Sequence, residues 1–192
     1  AEGVVAYADL LSRCRALLIG HPEVAARERR AIAQLVVDEF QDTDALQCEV
    51  VAALALDGPA DERPGLFLVG DPKQSIYGWR NADLAAYESF VDRVLAAGGE
   101  RHRLVVNFRS VRPVLDEVER CLGEVMVREP GVQPAFEPLL VSDKRRDAAG
   151  FTRAGRSPVE HWVIDPTAAA AAAGDSDEAP APADVEARAV AA

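Results

Sequence analysis

Two adjacent carboxylates, Asp38 and Glu39, follow directly on the apolar run Leu35, Val36 and Val37. A run of that kind reads as a buried parallel strand, and acids at its carboxyl end stand at the edge where open α/β sheets take their ligands. Magnesium prefers one or two carboxylates completed by phosphate oxygens and water, which leaves the neighbouring acid of a pair available as a base. A second segment, LVGDPKQSIYGWRNAD over residues 68–83, repeats the design with an amide, Gln74, and a cluster of Tyr77, Trp79 and Arg80. The third, LVVNFRS over residues 104–110, ends in Asn107, Phe108 and Arg109. On this reading three strands deliver polar groups to one rim, where a magnesium nucleotide would bind.

DEFQDTD, GDPKQSIYGWRNAD and NFRS, in this order and at these separations, resemble motifs II, III and IV of the superfamily 1 DNA helicases of the UvrD/Rep type. A DE pair is common by chance, whereas QSIYGWR correctly spaced from DE and NFRS is not. The resemblance extends over residues 4–165 and is closest over 35–110. Beyond it, AFEPLLVSDKRRDAAG and VEHWVID are similar to the RecB/AddA branch, whose members belong to helicase–nuclease complexes.

The resemblance implies a role for each matching residue. Asp38 would hold magnesium through its water shell, and Glu39 would orient and deprotonate the attacking water. Gln74 would sense the γ-phosphate, a task suited to an amide that can donate to phosphate oxygen and change partner afterwards. Phe108 stands where a ring stacks on adenine, and Arg109 where an arginine reaches the γ-phosphate from a second lobe, a contact worth about 10³ to 10⁵ in rate. Tyr77, Trp79 and Arg80 resemble positions facing single-stranded DNA, where aromatic stacking contributes about 1–3 kcal/mol per base whatever the sequence. Gln41 and Asp42 are suited to linking the two motifs, Asp71 and Lys73 to local loop structure, and Asn107 to bracing its own loop. Asn81 stands where such helicases often carry glycine.

Plainer alternatives accompany these roles. The DE pair could cap the following helix, Tyr77 and Trp79 could pack in a core, and Arg109 could form a surface ion pair. His21, His102 and His161 are scattered and read as surface or turn residues.

Elements that could position these groups follow from periodicity and punctuation. Tyr7, Leu10, Leu11, Cys14, Leu17 and Leu18 recur at helical spacing up to Gly20 and Pro22, and a charged helix covers 23–34. A strand at 35–38, a helix over 44–56 and a strand at 66–69 come next. Asp83 is placed to cap a helix that Gly98 and Gly99 close, a strand follows at 103–106, and Pro113 opens another helix. Residues 128–158, with four prolines, read as an irregular arm, followed by a lone strand at 159–164. Residues 166–183, alanine-rich with APAP, read as a linker, and DVEARAVAA begins a further helix.

The expected fold is α/β. Residues 1–106 would form the C-terminal part of a RecA-like P-loop NTPase motor lobe with a parallel sheet, 107–165 the start of a second lobe, and 166–192 a linker and the start of a helix.

With 192 residues, 49% of them hydrophobic, the chain can bury a core. Its net charge of −11 opposes nucleic-acid binding over the surface as a whole, so any DNA groove must be local. Three widely spaced cysteines, Cys14, Cys48 and Cys121, point to reduced thiols in a cytoplasmic protein and away from zinc. No apolar run is long enough to span a membrane. GxxxxGK[ST], the phosphate-cradling loop, does not occur in the sequence, and no nuclease cluster is evident. The chain therefore reads as an internal fragment, inactive by itself, of an ATP- and Mg²⁺-dependent helicase acting on single-stranded and duplex DNA. A nuclease or second helicase subunit is the further partner the RecB/AddA similarity implies. The alternative is a non-catalytic DNA-binding scaffold subunit of a helicase–nuclease complex. The full set Asp38, Glu39, Gln74 and Arg109 argues against it.

Overall fold

The computed structural model describes residues 6–148 and 157–161. Helices α1 (Tyr7–Gly20) and α2 (Pro22–Ala31) pack as a hairpin turned at His21, whose amide closes α1 on Leu17 O at 3.0 Å while Pro22 opens α2. Strand β1 (Gln34–Val37), helix α3 (Ala45–Ala55) and strand β2 (Gly65–Leu68) form a βαβ unit, the strands parallel with Val36 opposite Phe67 and Val37 opposite Leu68. Asp44 and Gln47 cap α3 reciprocally: the Asp44 carboxylate accepts from Gln47 N at 2.7 Å and the Gln47 carbonyl accepts from Asp44 N at 3.0 Å. Asp83 caps α4 (Leu84–Ala96) by accepting from the amides of Ala85 and Ala86, and Gly98 ends it at φ +93°, a conformation that favours glycine.

Both strands begin and end one residue earlier than the sequence reading places them. For the end of β1 the reason is local: Glu39 turns left-handed at φ +50°, which takes the chain out of the pleat after Val37.

A second βαβ unit follows: β3 (Val106–Asn107), α5 (Arg112–Leu122) and β4 (Leu140–Val141), again parallel but in a sheet of its own. The expectation of three strands on one rim is therefore corrected. Leu140 N donates to Val105 O at 2.8 Å and Ser142 N to Asn107 O at 3.0 Å, so the third segment pairs with residues 140–142 and not with β2. The arm is also less irregular than its prolines imply, since it holds β4, a bridge between Glu129 and Gln133 and a 3-10 turn over Asp143–Arg145. Residues 159–161 are not in a strand. The remainder of that expected strand, the linker and the final helix lie outside the described residues.

The main core joins the first unit to α4. Phe40, fully buried, packs its ring 5.1 Å from Phe90 and 5.7 Å from Tyr87, with Cys48 and Ala52 of α3 beneath. A second cluster of Leu18, Ala25 and Ala53 holds the α1–α2 hairpin on α3. Of the apolar stripe on α1, Leu18 is buried while Leu10 and Leu17 are exposed. From α4, Glu88 accepts from Arg128 at 3.2 Å and from Gly131 N at 3.3 Å, which ties the arm to α4.

Candidate functional site

Asp38 and Glu39 emerge together at the carboxyl end of β1, both exposed. Asp38 Oδ1 accepts from Glu39 N at 2.9 Å, and Glu39 occupies the left-handed region at φ +50° and ψ 41°. For a residue with a Cβ that conformation costs about 1–2 kcal/mol, so neighbouring contacts must hold it. Gln41, only 1% exposed, supplies one: its Nε2 donates to Glu39 Oε2 at 2.8 Å. The plainer reading of the DE pair as a helix cap does not hold, because Asp44 caps α3.

The second segment is fastened to the first through the same glutamine. Gln41 Oε1 accepts from Asp71 N at 3.0 Å, and Ser75 Oγ donates to Gln41 O at 3.1 Å. Asp71 in turn organises its own loop, Oδ1 accepting from Lys73 N at 3.0 Å and pairing with Lys73 Nζ at 2.8 Å, while Oδ2 accepts from Gln74 Nε2 at 3.1 Å. Partial burial acts to raise the Asp71 pKa, but the hydrogen bonds from Lys73 and Gln74 outweigh it and hold the carboxyl below its ordinary value. Asp42 behaves oppositely, pushed up by burial and by the nearby Glu39 charge. The structure thus brings Asp38, Glu39, Gln41, Asp71 and Gln74 together, with Gln41 and Asp71 in the linking and loop-building places expected of them.

Past this network the chain presents its aromatic pair. Trp79 is 73% exposed and meets Tyr77 edge-on, ring centroids 6.0 Å apart, so the core alternative for Trp79 does not hold. Asn81 is left-handed at φ +70°, the conformation that glycine would adopt there and that asparagine tolerates better than most residues. The side chain of Arg80 lies outside the described residues.

The third segment stands on the other sheet. Asn107 Oδ1 accepts from the amides of Arg109 and Ser110 at 2.9 and 2.7 Å, which braces the loop and presents an exposed Phe108 and Arg109. Arg145 Nε donates to Phe108 O at 3.4 Å, so the arm supports this loop from behind. The described hydrogen bonds of this segment run within itself and to residues 140, 142 and 145, not to the first two segments.

Two contributors had no mark in the sequence reading. Ser75 bonds the Gln41 carbonyl, and Gly70 passes so close that a Cβ there would lie 2.8 Å from Gln41 Oε1 and 3.2 Å from Gln41 N. A glycine set between an apolar strand and a polar loop is the available signal for such an approach. The three histidines are exposed, as expected, yet each faces a glutamate: His21 with Glu23, His102 with Glu100 and His161 with Glu117.

Magnesium fits this donor set. One Asp38 oxygen is spent on the Glu39 amide and the exposed carboxylate retains a second, which suits a metal bound mainly by phosphate and water. Among the described residues no three His, Cys, Asp or Glu side chains gather into a protein metal cage, and no helix is long and apolar enough to cross a membrane.

Residues 1–94 match the family described as the UvrD/REP helicase N-terminal domain, a span that takes in the first two segments and stops short of the third. The chain is similar to an ATP-dependent helicase/nuclease protein of Levilactobacillus brevis, 40% identical over 111 residues, 57% of this chain and 9% of that protein. Similarity to RecBCD enzyme subunit RecB of Mycolicibacterium smegmatis is 36% over 132 residues, 68% of this chain and 11% of that protein. With DNA helicase II of Escherichia coli it shares 35% over 113 residues, 59% of this chain and 15% of that protein. The chain thus spans about a tenth of the length of these curated relatives.

Proposed function

We propose that this chain is part of an ATP-dependent DNA helicase that couples ATP hydrolysis to movement along single-stranded DNA and to duplex unwinding in recombination or repair, working in the cytoplasm. The hydrogen-bonded joining of Glu39 to Gln74 through Gln41 and Asp71 carries the reading, because it puts a candidate base and a candidate phosphate sensor in one rigid loop pair beside an exposed aromatic surface. Support also comes from the match of residues 1–94 and from relatives that are named as helicases.

In this reading the two parallel βαβ units belong to RecA-like lobes, the first carrying motifs II and III and the second opening at motif IV near Asn107. Asp38 would hold Mg²⁺, which would supply charge neutralisation to the nucleotide phosphates. Glu39 takes the proton of the attacking water. Gln74 donates to a γ-phosphate oxygen, Phe108 stacks on the base, and Arg109 offsets charge on the transferring phosphoryl group once its lobe approaches. Tyr77, Trp79 and Arg80 hold single-stranded DNA by stacking and by phosphate contact. Phosphate cradling needs a GxxxxGK[ST] loop, absent from these 192 residues, so the isolated chain does not turn over ATP. The similarity to RecB and to the helicase/nuclease protein favours a partner that is a nuclease or a second motor.

The deciding experiment uses the full-length gene product. Glu39→Gln should abolish DNA-stimulated ATP hydrolysis and leave ATP affinity within about threefold, whereas Asp38→Ala should weaken Mg²⁺-dependent nucleotide binding as well. Normal turnover by Glu39→Gln would remove the assignment. A scaffold protein would show no hydrolysis even without mutation.

A further inference from the structure

Gln41 is as deeply buried as any polar side chain described, yet it stands between the exposed Glu39 and the half-buried Asp71. Its carboxamide works in two directions at once. Nε2 donates to Glu39 Oε2 at 2.8 Å and reaches Asp42 Oδ2 at 3.5 Å, while Oε1 accepts from Asp71 N at 3.0 Å. The orientation is fixed by chemistry: an ionised carboxylate only accepts and a backbone amide only donates, so a flipped carboxamide would lose both bonds. Neither a carboxylate nor a thioether of the same length can make the pair. Ser75 Oγ on the Gln41 carbonyl and Gly70 against Oε1 close the remaining space around it.

We propose that Gln41 is a positioning residue that sets the Glu39 carboxylate toward the attacking water and ties its position to the Asp71–Gln74 loop. This rests on the reading of Glu39 as the base. Three hydrogen bonds in series make the connection, Gln74 Nε2 to Asp71 Oδ2, Asp71 N to Gln41 Oε1, and Gln41 Nε2 to Glu39 Oε2. Glu39 needs such a tether, because an exposed carboxylate on left-handed backbone otherwise samples several rotamers. When Gln74 gives up Asp71 for a phosphate oxygen, the Asp71 loop is released at one end and the change passes to Glu39 through the buried amide. The position of the base therefore responds to what the sensor holds, and nucleotide state is read before water is activated.

The test compares Gln41→Met, Gln41→Glu and Gly70→Ala with the unmutated full-length gene product, by steady-state ATP hydrolysis on single-stranded DNA. Gln41→Met should lower kcat about a hundredfold with KM for ATP within about threefold, the signature of a displaced catalytic group whose substrate still binds. Gly70→Ala should lower kcat in the same way without adding charge, since its methyl must push the Gln41 carboxamide aside. In the 192-residue chain, hydrogen exchange should show the Asp71 amide less protected in Gln41→Met and still protected in Gln41→Glu, which keeps an acceptor there. If Gln41→Met does not fold, Gly70→Ala decides by the same kcat criterion. Retention of kcat by a folded Gln41→Met, or by Gly70→Ala, while Glu39→Gln is inactive, overturns the tether and leaves the helicase reading intact. Normal turnover by Glu39→Gln overturns the reading and the tether together.

Discussion

The β1–α3–β2 unit and the β3–α5–β4 unit share a topology and differ in how they are held. In the first, four-residue strands pair in full register and α3 buries Cys48, Ala52, Ala53 and Ala55, with Phe40 wedged between α3 and α4. The second pairs two residues on each strand, and α5 buries none. Beside it Leu104 is 88% and Phe108 69% exposed, and of the apolar residues around α5 only Val111, at its cap, is buried. The contrast extends to the functional loops. Glu39 and Gln74 are joined through the buried Gln41, which links the loops after two strands, whereas the loop of Arg109 is braced by Asn107 within it and by Arg145 of the arm.

The largest effect should come from the core that separates the units. Phe40→Ala should cost about 3–5 kcal/mol in denaturant unfolding of the chain, whereas Val118→Ala on α5, a residue 41% exposed, should cost less than about 1 kcal/mol. Equal losses would erase the distinction between the two units. Next in size is the aromatic surface. Trp79→Ala in the full-length gene product should weaken binding of oligo-dT and of mixed single strands alike by about ten- to a hundredfold, as loss of about 1–3 kcal/mol of stacking requires. Its melting temperature should remain that of the unmutated protein, and a large drop would return Trp79 to a structural role.

Capping sharpens the comparison further. Asp44→Ala removes the reciprocal cap of α3 and should cost about 1 kcal/mol. At the start of α5 the cap position is Val111, which offers no side-chain acceptor, so no polar truncation there has a counterpart effect.

The smallest effect is on acid stability. Asp71 is held below its ordinary value of 3.8, so folding favours its ionised form. Its contribution is complete above that value and disappears as pH falls through the lower folded value. Asp71→Asn should therefore lower stability slightly near neutrality, where that contribution is complete, and converge with the unmutated chain at the acid end, which flattens the acid limb of the curve. An unchanged acid limb in that variant would mean that the Lys73 and Gln74 bonds do not bias ionisation.

Local signals made the helices legible. Asp83 as a cap, Gly98 as a stop and Pro113 in the first turn of α5 each act within a few residues, and the elements they bound are found where those residues put them. Strand pairing is not local. LLV within a proline-bearing arm gives no hint that it pairs with β3, and the uncovered partner of that pair misplaced the third rim. Within the candidate site, side chains suited to linking two motifs could be named from their type, as with Gln41. The left-handed turn at Glu39 and the close pass of Gly70 belong to backbone geometry, which residue types alone specify poorly.

Cys48 gives the first unit a clock. Its thiol is buried in the Phe40 core and pushed upward in pKa first by that burial, whereas Cys14 and Cys121 are exposed, Cys121 being raised by its hydrogen bond to Glu117 instead. A thiol reagent should therefore modify two cysteines promptly and the third only when α3 lifts from the core. The delay of that third reaction measures the opening of the scaffold beneath Glu39 directly, in a chain carrying no added label.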